Sequence, residues 1–152
     1  MLSNIRKVLC NFLKCYDINA SPFEYTRTYD ASEILTLLRS EFDTGRIYLS
    51  DTVYKTVPKE TLRKFLSKDS TNFFLYTPEF YDCDDFSYRL MGQLSTPGYG
   101  ALPFGIIWVM TSRGGHALNV FIDDQEEIWL VEPQNDKIFK MPKDWKAYII
   151  MM

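Results

Sequence analysis

The last third of the chain limits most narrowly what it can become. Ile106-Ile107-Trp108-Val109-Met110, Ala117 to Ile122 and Ile128 to Val131 are short apolar runs rich in β-branched and aromatic residues. Runs of this length and composition, bounded by turn formers at Ser112 to Gly115 and Asp123 to Glu126, read as successive strands. Ile138-Phe139 and Ala147 to Ile150 add two more. An antiparallel sheet is therefore expected to close the chain.

Helical periodicity dominates what precedes it. Leu2, Ile5, Val8, Leu9, Phe12 and Leu13 recur at three- and four-residue spacing, which predicts a short amphipathic helix. Asp30 or Ser32 caps a second, built on Ile34, Leu35, Leu37 and Leu38 and ending before Gly45. Pro58-Lys59-Glu60 is a first helical turn leading to Leu62, Phe65 and Leu66. A last helix starts at Cys83, after Asp82, and runs through Phe86 and Leu90 to Leu94. Leu49 to Tyr54 and Phe73 to Tyr76 are expected to be extended. The pattern predicts an α+β fold in one domain over 1–152: a helical lead-in over 1–50, then a core over 51–152.

At 152 residues and 46% hydrophobic composition the chain has ample material for one core. The net charge of −3 comes with scattered lysines and arginines. No basic stripe offers itself to phosphates, so no nucleic-acid partner is expected. No apolar segment reaches the length of a membrane span and the start lacks a leader pattern, so no membrane partner and a cytoplasmic location are expected. Cys10 and Cys15 have neither metal-site nor redox-pair spacing and read as packing residues.

His116 is the only histidine, so any thiol chemistry has one imidazole base to draw on. Cys83 at a helix start meets free N–H groups and the helix dipole, which favour a thiolate and offer donors to an oxyanion. Asp82, Asp84 and Asp85 crowd the same thiol with negative charge and oppose that effect. If the turn between the strands carrying His116 and Glu132 centres near Asp124, these two residues fall opposite each other, roughly 4.5–5.5 Å apart at Cβ. A register two residues away places Gln134 there instead. A carboxylate in that position would orient the imidazole and stabilise its charged form.

Tyr81-Asp82-Cys83-Asp84-Asp85-Phe86, Gly115-His116-Ala117-Leu118-Asn119 and Glu132-Pro133-Gln134-Asn135-Asp136 together resemble a family of papain-like cysteine proteases. Its known example is the C-terminal protease domain of the fairy-ring mushroom agglutinin. The resemblance implies a papain-like fold, N-terminal helices packed on a C-terminal antiparallel sheet, and a catalytic triad of Cys83, His116 and Glu132. It also implies calcium dependence, with Asp84 and Asp85 as metal ligands. The expectation is a thiol hydrolase, a peptidase or amidase acting on a peptide or protein. The alternatives are a non-catalytic binding protein that keeps the fold, and a peptidoglycan amidase or endopeptidase.

Overall fold

The computed structural model describes residues 23–96 and 98–152. The expected N-terminal helix, with Cys10 and Cys15, lies outside the described residues. The described elements run β1 (Arg27–Asp30), α1 (Ala31–Glu41), β2 (Ile47–Tyr48), β3 (Val53–Thr56), α2 (Lys59–Leu66), a 3-10 turn (Thr71–Phe73), α3 (Cys83–Leu94), β4 (Phe104–Thr111), β5 (Gly114–Ile122), β6 (Ile128–Glu132), β7 (Lys137–Phe139) and β8 (Lys146–Met151).

Local chemistry sets these boundaries. Asp30 accepts from Ser32 N–H (2.8 Å) and Glu33 N–H (3.0 Å), while Glu33 takes the Asp30 N–H at 2.8 Å, a reciprocal cap on α1. Asp85 Oδ2 takes the Asp82 N–H at 3.0 Å and anchors the start of α3. Thr111 pairs with Gly114 around a two-residue turn, and Gly114 takes a φ of 118° that suits glycine alone.

Six strands form one sheet in the order β2-β8-β4-β5-β6-β7, and β1 pairs with β3 in a separate ribbon. Alternation divides the large sheet into two buried faces. Ile107, Val109, Leu118, Val120, Leu130 and Ile150 pack with Ile34 and Leu38 of α1. Phe104, Phe121 and Val131 pack with Leu62 and Leu66 of α2 and Leu90 and Leu94 of α3. Asn119, fully buried, ties the second face together by donating to Ser87 O at 3.0 Å and Gly105 O at 3.1 Å.

The expected arrangement of N-terminal helices on a purely antiparallel C-terminal sheet needs correction. Eight strands outnumber three α-helices among the described residues, and the sheet is the centre of the molecule. Strands β1 and β2 lie inside the presumed helical lead-in, and β2 pairs parallel with β8, which makes the sheet mixed. Neither was legible because each is too short to show an alternation: β1 buries a single residue, and β2 has two residues in all.

Candidate functional site

The candidate residues gather where β6 parts from β5. The β5–β6 ladder runs from Ile122↔Ile128 to Asn119↔Val131. The turn is thus centred on Gln125, not Asp124, because Asp123 Oδ1 accepts both Gln125 N–H (2.9 Å) and Glu127 N–H (3.0 Å) and closes a longer loop. The register differs by two from the one that sets His116 opposite Glu132. Parity is preserved by an even shift. His116 still shares a face with Leu118 and Val120, and Glu132 with Leu130, and the two meet diagonally: Nε2 lies 2.7 Å from Oε2. Their side chains are only 23% and 15% exposed, and the other Glu132 oxygen accepts from Gln134 N–H at 3.3 Å.

Cys83 approaches from α3. Its Sγ accepts the Ala117 N–H at 3.4 Å, at the β5 backbone just beyond the end of the ladder with β6. The structure thus brings Cys83 to the β5 backbone one residue from His116, which Glu132 holds. Burial pushes the Cys83 thiol up, and the charges of Asp82 and Asp84 push it further, against the pull of the Ala117 and Asp84 N–H groups. The helix start does not win, because burial of the sulfur outweighs it and two carboxylates share the same turn.

Asp82, Cys83 and Asp84 bring ligand atoms within 4.8 Å of one another. A hydrogen bond shared with Asp82 holds the Asp84 carboxyl up, with burial adding to the effect, and the same bond holds Asp82 down. Two carboxylates sharing a proton are a pair that a cation would suit. Asp85, which the resemblance put beside Asp84 as a ligand, uses its Oδ2 to accept the Asp82 N–H at the α3 cap.

A groove of about 510 Å³ opens beside His116, lined by Thr111, Arg113, His116, Asp144 and Trp145 among others. Trp145 stands edge-on to His116, with centroids 6.2 Å apart at 85°, and to Phe139, 6.0 Å apart at 89°. Sequence reading passed over Arg113, Asp144 and Trp145. They sit in a hairpin tip and a loop, where no periodicity marks a residue; the isolated tryptophan was the one available signal.

The sheet-centred fold has counterparts among solved structures. One is a structure described as a PSL1a-E64 complex, with a TM-score of 0.70 and 23% identity, covering 82% of this chain and 51% of that one. Another is a Polyporus squamosus lectin bound to the human-type influenza-binding epitope Neu5Acα2-6Galβ1-4GlcNAc, again with a TM-score of 0.70 and 23% identity, covering 82% and 49%. This chain spans about half the length of those chains. Residues 54–138, more than half of the sequence, match the family model described as Agglutinin C-terminal, and the chain belongs to that family. No curated protein matches.

These findings correct the assignment to papain-like cysteine proteases. The matching family is described as an agglutinin domain and the solved counterparts include a named lectin, so the expected thiol hydrolase with a peptide or protein substrate is not carried forward. The peptidoglycan amidase alternative falls with it. Among the described residues no helix is long and apolar enough to cross a membrane.

Proposed function

We propose that this chain is a non-catalytic binding module of the agglutinin type whose ligand is a carbohydrate. The observation that carries the reading is the agglutinin family match over residues 54–138, the stretch that supplies the β4–β5 hairpin and His116 to the groove. The lectin likeness supports it, as does a concave site in which an aromatic ring is surrounded by a few polar groups, the composition of small-ligand sites in general. Under this reading His116 lines the site, held in place by Glu132, and Cys83 packs behind it against β5. Calorimetry of the purified chain against a saccharide panel that includes Neu5Acα2-6Galβ1-4GlcNAc tests the proposal. Saturable binding that survives Cys83→Ala is expected. Failure to bind any saccharide, or an amide-cleaving activity abolished by Cys83→Ala, would overturn it.

We further propose that calcium binds at Asp82 and Asp84, with water completing the six to eight oxygens it takes. Calcium should raise the thermal midpoint of the wild type but not of Asp84→Asn, and an equal rise in both would refute the assignment.

A further inference from the structure

We propose that the apolar residues of segment 2–13 dock, within the same chain, on an exposed aromatic loop that precedes α3, residues 73–80. The inference is independent of the carbohydrate-binding reading and gives the chain an internal interaction surface.

The loop presents more apolar area than an isolated surface residue does. Phe73, Leu75 and Phe80 are 78%, 86% and 85% exposed, and Phe74 and Tyr76 are half-exposed. Single exposed apolar side chains need no explanation, but five within eight residues mark a contact surface. Nor is the loop free to turn them inward. Thr77 and Tyr81 exchange backbone hydrogen bonds at 2.9 and 2.8 Å, and Phe80 N–H donates to Thr77 O at 3.1 Å. Glu79 N–H donates to Asp82 Oδ2 at 3.3 Å. Phe74 packs against the Arg89 guanidinium, 4.2 Å from the ring centroid, and against Tyr81, 5.5 Å away. A surface fixed in this way loses little conformational freedom when it is covered.

Three observations select the occupant. The first is charge. From Asp69 to Tyr88 the sequence has five acidic residues and no basic one, whereas residues 1–22 carry Arg6, Lys7 and Lys14 against the single acid Asp17. The signs are complementary. A second exposed apolar area, at Met110 and Tyr148, has the wrong sign: Arg46 lies 4.5 Å over the Tyr148 ring and Lys146 pairs with Met110. The second observation is pattern, since Leu2, Ile5, Leu9, Phe12 and Leu13 recur at the spacing of one helical face and supply the apolar complement.

The third is reach. The Phe23 ring meets Phe65 with centroids 6.1 Å apart, and Phe65 O accepts the Asp69 N–H at 3.0 Å, just before the turn that opens the loop. Residues 14–22 join the segment to Phe23 and span up to about 30 Å when extended. A tether this short sets an effective concentration on the order of millimolar, so a modest contact suffices to hold the segment in place.

The test uses the full chain in calcium-free buffer and reads both sides of the contact. Amide hydrogen exchange of residues 2–13 should quicken about tenfold in Leu75→Ser and Phe80→Ser, a loss of about 1.4 kcal/mol of docking. Both positions are so exposed that serine leaves the core intact. Hydroxyl-radical oxidation of Phe73, Leu75 and Phe80 should rise severalfold in Leu9→Ser. Tyr148→Ser, in the basic area, is the control and should change neither readout. Exchange of residues 2–13 that is the same in wild type, Leu75→Ser and Phe80→Ser would overturn the inference, as would loop oxidation unaffected by Leu9→Ser. Release by Tyr148→Ser would place the segment elsewhere and overturn it too. Protection that grows with protein concentration would assign the loop to contact between copies and refute docking within one chain.

Discussion

At Cys83 two local effects of opposite sign compete. A helix N-terminus stabilises a thiolate by a fraction of a charge spread over a turn of N–H groups, but here the sulfur is also partly buried beside Asp82 and Asp84. With the folded-state value raised, the thiol stays protonated through neutral pH, and the reactive thiolate appears only as pH climbs past the ordinary value of about 8.5. Iodoacetamide labelling of Cys83, followed by peptide mass spectrometry, should therefore rise along a curve displaced to the alkaline side of a free cysteine. Half-maximal labelling well below the ordinary value, lost in His116→Ala, would show an activated thiol and reopen the hydrolase reading. The sequence placed Cys83 correctly at a helix start, and it paired His116 with Glu132. It had no means of weighing burial, which decides the direction of the shift.

At the scale of elements, close approach of strands explains residues that have no visible chemistry. A Cβ on Gly105 would lie 2.2 Å from Met151 O and 2.9 Å from Met152 Cα, backbone atoms that cannot rotate away. Gly105→Ala should force β8 from β4 and cost about 1–3 kcal/mol, read as a lower midpoint of urea unfolding. The β5–β6 turn has a different keystone. Asp123, only 4% exposed, accepts from Trp129 Nε1 at 2.8 Å as well as from Gln125 and Glu127 N–H. Asp123→Ala leaves those donors to find water or remain unpaired, at about 1–3 kcal/mol for each that stays buried. The variant should unfold earlier and show altered Trp129 emission in the native baseline; a midpoint matching the wild type would show that the turn holds without it. The same aspartate explains the register error. Alternation identified both strands and their faces, but the loop length depends on a side chain folding back on its own backbone, which hydrophobic patterning does not record.

At the scale of the whole molecule, the sheet is sandwiched, and its two faces are buried by elements from different parts of the chain. The face carrying Leu118 is covered by α1, and the face carrying Phe121 by α2 and α3. That organisation was half legible: long strands β4, β5 and β6 and the three α-helices among the described residues follow from period and capping, whereas β1 and β2 are recruited by tertiary pairing alone. Successive residues of β5 serve opposite faces, so neither core can loosen without disturbing the strand that anchors the other. Leu118→Ala and Phe121→Ala, both at fully buried positions, should cost about 2–5 and 3–5 kcal/mol. In each variant tryptophan emission and far-ultraviolet circular dichroism should trace one coincident transition. Trp145 reports from the Leu118 face and Trp129 from the Phe121 face. Separated transitions in either variant would mean that the faces unfold independently and that the shared strand does not couple them. Coincidence would also bear on the groove, because Trp145 and His116 belong to the Leu118 face while Cys83 arrives on the helix that covers the other.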